Sequence, residues 1–496
     1  MCGIFGAFNL RSPVSGRFED ALSILTHRGP DDLGKICGDQ YFLGHNRLAI
    51  VDVEKGNQPL WDSSSKLYAI ANGEIYNHEQ WRNRLRGKYD FSTDSDTEIL
   101  LPLYQNFGPQ LLQKIDGMFS FILAKDQEFF VARDPLGVKP LYYAQSEEGL
   151  FFASEIKALI DHSEQIKEFP PGHYYHHDEG LQQYYSLPEV DVFLEDVEII
   201  LEKIRQGLSN SVRKRLMSDV PVGVFLSGGL DSSIIAALMK QDVSQLHSFA
   251  AGFPNSPDLK AARLVSEYLG TIHHEYIYSE AEMLSVLSKV IYHFESYDPA
   301  WLRSCIPTYL LSSLASQYVK VVLGGDGADE LFAGYSYLAD YNDGKTLDRE
   351  LRFLMNKFHH CNLQKLDRMT MAHGLEARVP FLDIDFVEMA LTIDPNLKLY
   401  HRFGIEKYLL RKAFEDYLPS EIVWRDKMEF AHGCASSKVL EAHAEATISD
   451  QDFAQVRSQG EPISNKEELL YYRIFQKHFS DSNAVNLVRK WGRTFH

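Results

Sequence analysis

Over residues 1–155 the apolar positions come in short runs broken by Gly, Pro, Asn and Asp, at 3–8, 41–53, 67–71, 118–124 and 129–132. Runs of that length, punctuated that way, predict strands of a sheet rich in antiparallel pairs. Residues 96–105 have helical spacing between them, and 150–159 read as a strand running into a short helix. The stretch 168–188 is rich in Pro, Gly, His and Tyr, lacks a clear period, and reads as a linker. Beyond it the rhythm changes. Helical spacing over 197–217 gives way to a β-rich run at 220–226, then to helix at 234–240, with buried-strand candidates at 246–253 and 319–323. Strand and helix in alternation predict a parallel α/β sheet, and from about 338 onward the pattern is mostly helical. The expected division is a β-rich domain over 1–190, linker included, and an α/β domain with a helical extension over 191–496.

Composition adds bounds. A chain of 496 residues exceeds one ordinary core, in keeping with two domains. With 45% hydrophobic and 24% charged residues it has a soluble, globular profile. No apolar run approaches the ~20 residues that span a bilayer, and residues 1–10 lack a basic leader, so the expected compartment is the cytoplasm. The 69 acidic and 50 basic residues leave a net charge of −19, which disfavours nucleic acid and anionic membrane as partners. Five scattered cysteines with no CxxC pair argue against a disulfide framework and against a zinc site. A reduced thiol at position 2 is therefore available.

Cys2 directly follows Met1, and an initiator methionine is commonly removed before a small residue. Its free α-amine would have a pKa near ~7.7–8, which puts nucleophile and general base on one residue. Alone, such a cysteine would be an accident of sequence. It is followed, however, by Gly3-Ile4-Phe5-Gly6, His27-Arg28-Gly29-Pro30-Asp31, His45-Asn46-Arg47-Leu48, Asn72-Gly73-Glu74-Ile75-Tyr76-Asn77 and Ser95-Asp96-Thr97-Glu98. In order and spacing these resemble the class II, N-terminal nucleophile glutamine amidotransferases. The resemblance implies that Cys2 attacks a glutamine amide and that the Asn72 side chain and Gly73 N–H stabilise the oxyanion. It also implies that Arg47 grips the substrate carboxylate with its planar fork, while Glu74 and Asp96 hold the ammonium. The segment 133–141 matches too, and is read as a structural turn.

A second constellation follows the β-rich run at 220–226. Ser227-Gly228-Gly229-Leu230-Asp231-Ser232-Ser233 lies between that strand and a helix, where backbone N–H groups point at phosphate. It lacks the Gly-Lys-Ser/Thr ending of a Walker A loop. The hydroxyls of Ser227, Ser232 and Ser233 add donors, and Asp231 beside phosphate implies Mg²⁺. The seven residues resemble the pyrophosphate loop of the ATP pyrophosphatases. Gly324-Gly325-Asp326-Gly327-Ala328-Asp329-Glu330 looks like the second acidic loop of that site, with Asp329 as a further metal or pyrophosphate ligand.

Together the halves resemble the glutamine-hydrolysing asparagine synthetases from Cys2 to about residue 480. The resemblance implies an αββα sandwich of the N-terminal-nucleophile hydrolase type in front. Behind it, an adenine-nucleotide-hydrolase-like parallel sheet would carry an AMP-forming amide synthetase, with Lys407 and Lys427 near the phosphates. ATP and Mg²⁺ are the implied cofactors, glutamine and a carboxylic acid the other substrates, and a homodimer the implied assembly. On the acceptor side Arg303, Gly325, Asp326 and Trp301 are the candidates. There the chain departs from the pattern: Ala300 and Trp301 stand where paired threonines hold aspartate, and Asp326 where glutamate is usual. Aspartate and a different, larger or less polar acid both remain open as acceptors. A cyclising relative is disfavoured by the complete front constellation, and a sensor that binds without turnover by the retention of Cys2, Arg47, Asn72, Asp96, Asp231, Asp329 and Lys427.

Overall fold

The computed structural model describes residues 2–11, 16–189, 195–360, 362–427, 436–459, 463–479 and 483–488. Among these, the front half builds two six-stranded antiparallel sheets. The first runs in the order Ile166–Glu168, Tyr142–Ser146, Gly149–Ala153, Gly3–Phe8, Phe42–Arg47, Asp32–Cys37. The second runs Gly180–Gln183, His173–His176, Glu128–Arg133, Gly117–Lys125, Leu67–Ile75, Leu60–Asp62. Ile4, Phe8, Leu43 and Phe152 from one sheet meet Ile70, Ile122, Phe129 and Val131 from the other in a buried layer between them. On the outer faces, Phe5 and Phe42 pack under Phe18 and Leu22 of the helix Gly16–Ile24. Ala69 and Phe121 pack under Leu100 and Leu103 of the helix Leu100–Phe107. Covering both faces of each sheet explains why its strands read as continuous apolar runs. The result is an αββα sandwich.

The expected linker holds two strands and the end of a third. Ile166–Glu168 extends the first sheet, and His173–His176 and Gly180–Gln183 extend the second. These strands are three or four residues long and interrupted by Pro170-Pro171-Gly172, too short to establish a period of two.

The back half centres on a five-stranded parallel sheet ordered Ile272–Ile277, His247–Gly252, Val222–Phe225, Val321–Leu323, Glu376–Arg378. The last strand has no apolar pattern in sequence, because it is three residues long and two of them are charged. A neutral cluster of buried ions joins the halves. Arg28 pairs with Asp367 at 2.8 and 3.2 Å and with Glu155 at 2.7 Å. Arg368 pairs with Glu155 and Glu295, each at 2.9 Å, and Lys157 with both of those carboxylates. Removing one member of such a buried set costs roughly 3–5 kcal/mol, since it strands its partners.

Candidate functional site

The strand Gly3–Phe8 emerges between its neighbours so that Cys2 lies buried at the sandwich edge. The Cys2 main-chain nitrogen donates to Asn72 Oδ1 at 2.9 Å, and its carbonyl accepts from Arg28 Nε at 3.1 Å. Burial pushes the thiol pKa up, against the lowering influence of the nearby chain terminus. Asn72 and Gly73 sit on the strand Leu67–Ile75, with Asn72 Nδ2 3.4 Å from Ser120 Oγ. Gly73 has φ +147°, and a Cβ there would fall 2.0 Å from the Met118 carbonyl oxygen. Only glycine lets the two backbones approach this closely.

Arg47 is fixed by the loop that follows it. Its guanidinium donates to the carbonyls of Val51, Asp52 and Val53 at 3.2, 2.6 and 3.0 Å, and to Asn57 Oδ1 at 2.5 Å. Glu74 and Asp96 are both buried. Asp96 accepts from the Ile75 N–H at 2.7 Å, while Glu74 Oε2 has no hydrogen-bond partner among the described residues. Desolvation drives both carboxyls up, Asp96 to about 6 and Glu74 well above the usual range, and the neighbouring carboxylate Glu376 adds to both. The pocket thus concentrates acidity that a cationic group would relieve. Cys2, Arg47, Asn72, Gly73, Glu74 and Asp96 are therefore brought to one region.

Two further residues of this pocket come from the other domain and carry no local sequence signal for it. Arg378 Nη2 lies 3.5 Å from Glu74 Oε2, and Arg378 Nε donates to Glu376 Oε1 at 2.5 Å.

In the back domain the 227–233 loop connects Val222–Phe225 to the helix Leu230–Asp242. Ser227 Oγ and Ser232 Oγ are 3.1 Å apart, and Gly229 N–H donates to Ser227 Oγ at 3.3 Å. Gly228 has φ +72°, with Ala262 N only 2.4 Å from the position of a Cβ, so the turn needs glycine. Ser233 is buried on the helix, its amide donating to the Gly229 carbonyl at 3.1 Å. Gly325 presses against the same loop: a Cβ on it would lie 2.8 Å from Asp231 Cβ and from Ser232 N.

Asp231 and Asp329 face each other across Lys407. Lys407 Nζ bonds to Asp231 Oδ2 at 2.5 Å and also contacts Asp329, which in turn takes Lys427. Burial raises the Asp231 carboxyl; the two lysines hold Asp329 well below the usual carboxylate range, outweighing its own burial. Asp231 Oδ1 is buried with no hydrogen-bond partner among the described residues. A free carboxylate oxygen beside a second carboxylate is an oxygen-donor set suited to Mg²⁺. These groups line an open cleft of about 530 Å³. Ala300, Trp301, Asp326 and Lys365 also line it. Lys365 had no sequence signal. Arg303 also borders the cleft, but its guanidinium is engaged by Glu467 at 2.6 and 3.1 Å and by Glu441 at 2.6 Å.

Two family models match the chain in succession. A glutamine amidotransferase domain model matches residues 1–198, and an asparagine synthase model matches residues 203–345 and 339–494. A probable glutamine-hydrolysing asparagine synthetase of Schizosaccharomyces pombe is 41% identical, over 99% of this chain and 96% of its own length. Asparagine synthetase B of Escherichia coli is 39% identical over 98% of this chain and 93% of its own, and asparagine synthetase 1 of Arabidopsis thaliana 38% over 100% and 89%. With both sites on one chain and likeness along its whole length, the protein belongs to the glutamine-hydrolysing asparagine synthetase family of ligases.

Proposed function

We propose that this chain hydrolyses glutamine at Cys2 and delivers the ammonia to an acyl-adenylate formed in the 227–233 cleft, with aspartate to asparagine as the best-supported reaction. In this reading residues 1–190 form the glutaminase and 191–496 the synthetase. The observation that carries it is the strand Glu376–Arg378. Its Arg378 side chain reaches Glu74 in the front pocket, while its Arg378 carbonyl accepts from Gly324 N–H at 2.9 Å, at the head of the acceptor loop. One three-residue strand therefore touches both sites, which supports direct passage of a small neutral molecule between them.

At the front, the Cys2 amine takes the thiol proton and the sulfur attacks the glutamine amide carbon. The Asn72 amide and Gly73 N–H receive the oxyanion; ammonia leaves with a proton, and water releases glutamate from the thioester. Arg47 holds the substrate carboxylate, and Glu74 with Asp96 its ammonium. At the back, an acceptor carboxylate oxygen attacks the α-phosphorus of ATP and pyrophosphate departs. The 227–233 amides and hydroxyls, with Lys407 and Lys427, take up the charge that builds on the phosphates. Asp231 and Asp329 would hold Mg²⁺, which neutralises phosphate charge. Ammonia then attacks the acyl carbon, AMP leaves, and one proton is lost.

A second reading, with a different carboxylic acid as acceptor, is favoured by Ala300 and Trp301 on the cleft wall. The test is pyrophosphate release with ammonia across a panel of acids. Aspartate should raise it at least tenfold over background. Stimulation by another acid and not by aspartate would transfer the assignment to that acid, leaving the amide-forming chemistry intact.

A further inference from the structure

Lys407 and Lys427 reach Asp329 from two separate segments of chain, and one side chain fastens both segments. That side chain is Arg411, buried on the short helix Tyr408–Ala413. Its Nε donates to the Glu406 carbonyl at 2.8 Å, and its Nη2 to the Glu406 carboxylate. Its Nη1 donates to the carbonyls of Val423 and Arg425, the latter at 3.0 Å. Two contacts thus hold the residue before Lys407, and two hold the chain that leads into Lys427.

Neither segment would fix its lysine unaided. Lys407 has φ +56°, a left-handed backbone that residues other than glycine rarely adopt. Its carbonyl accepts from the Arg411 N–H at 3.0 Å, which closes the turn. Its stem runs through a gap left by Gly334, where a Cβ would fall 2.1 Å from Lys407 Cε. Lys427 follows the four-residue helix Ser420–Val423 after three residues that belong to no helix or strand. Within those three, the Arg425 guanidinium donates to the Gly228 carbonyl at 3.2 Å and to Asp258 Oδ1 at 3.0 Å. A continuous line of ties therefore runs from Glu406 through Arg411 and Arg425 to the 227–233 loop. Such a frame has an electrostatic purpose. Both ammoniums converge on one oxygen of Asp329, so they repel each other, and each rides on a long, rotamer-rich stem.

We propose that Arg411 is a positioning residue for the phosphate site: it sets Lys407 and Lys427 relative to each other and, through Arg425, relative to the 227–233 loop. Four of the five N–H groups of its guanidinium are spent on protein oxygens, so it acts through the lysines and not on the substrate. Arginine suits this task because its donors diverge from a rigid plane, whereas one ammonium on a flexible stem cannot span both segments. The proposal rests on the AMP-forming reading above and adds to it the group that builds the cation pair.

The test is calorimetric binding of pyrophosphate, with Mg²⁺ present, to the full chain in wild type, R411M, R411K, K427M and the doubly substituted R411M K427M. Loss of a hydrogen bond to a charged group corresponds to roughly 10- to 100-fold. R411M should raise Kd by that factor, with glutamine hydrolysis within threefold of wild type. Pyrophosphate release with ammonia, ATP and aspartate should fall in parallel. R411K keeps the charge but loses the fork, and should still bind at least tenfold more weakly than wild type. Because Arg411 acts through Lys427, the double substitution should raise Kd by at least fivefold less than the product of the two single factors. Independent sites would give the full product, and that result overturns the proposal, as does a wild-type Kd in R411M or R411K. Should R411M fail to fold, R411K alone and combined with K427M decides by the same criteria. If wild type binds no pyrophosphate, the proposal and the AMP-forming reading fall together; if wild type binds it and the Arg411 variants match it, the proposal alone falls.

Discussion

The front pocket and the back cleft both gather charge, but they hold it in opposite ways. In front, Glu74 and Asp96 are buried close to Glu376, and their carboxyls are driven up by desolvation. At the back, Asp231 and Asp329 are met by Lys407 and Lys427. On the proposed function the first site, where Glu74 shares Arg378 with Glu376, takes a further cation from its substrate, and the second, with two lysines, takes a ligand rich in negative charge. The difference teaches that the resting charge balance of a pocket is the complement of what it binds.

The largest effect expected from breaking this contrast is at the back. Asp329→Asn removes the carboxylate on which Lys407 and Lys427 converge, and should cut ATP-dependent pyrophosphate release by at least about a thousandfold, comparable to losing a main electrostatic group. Glutamine hydrolysis, measured separately, should stay within a few-fold. Equal loss of both would mean the two charge clusters are not independent.

A smaller effect sharpens the front half of the contrast. The folded-state pKa of Asp96 is raised to about 6, so the ionised carboxylate is disfavoured by folding. Its contribution to stability is full below the unfolded value near 4 and is lost as pH rises through about 6. Asp96→Asn should accordingly raise Tm by a few degrees at pH 8 and have no such effect at pH 4. The same variant should raise KM for glutamine and remove its increase below pH 6, where wild-type Asp96 takes up a proton. A lower Tm at pH 8 would show that Asp96 is not strained by burial.

How far this was legible in sequence depended on distance along the chain. Asn72, Gly73 and Glu74 are consecutive on one strand, and residues 227–233 form one loop, so each set has its geometry fixed locally. The apolar runs at 118–124 and 129–132 likewise became neighbouring strands. What was hidden is non-local or too short. Arg378 reaches Glu74 from about 300 positions away, and its strand shows two charges in three residues. Arg303 is separated by 164 positions from Glu467, so its neutralisation could not be read from the motif around it. The strands His173–His176 and Gly180–Gln183 read as linker in sequence because they owe their existence to the sheet edge they pair with, not to their own periodicity.

The central claim is that one chain runs two separable reactions joined by ammonia. Its most direct test is Cys2→Ala, assayed for amide product and pyrophosphate with glutamine and, separately, with ammonium salt. Glutamine-dependent synthesis should fall by at least about a thousandfold, as loss of a nucleophile does, while ammonia-dependent synthesis stays within threefold of wild type. Loss of both activities in a variant that keeps its Tm would contradict the account.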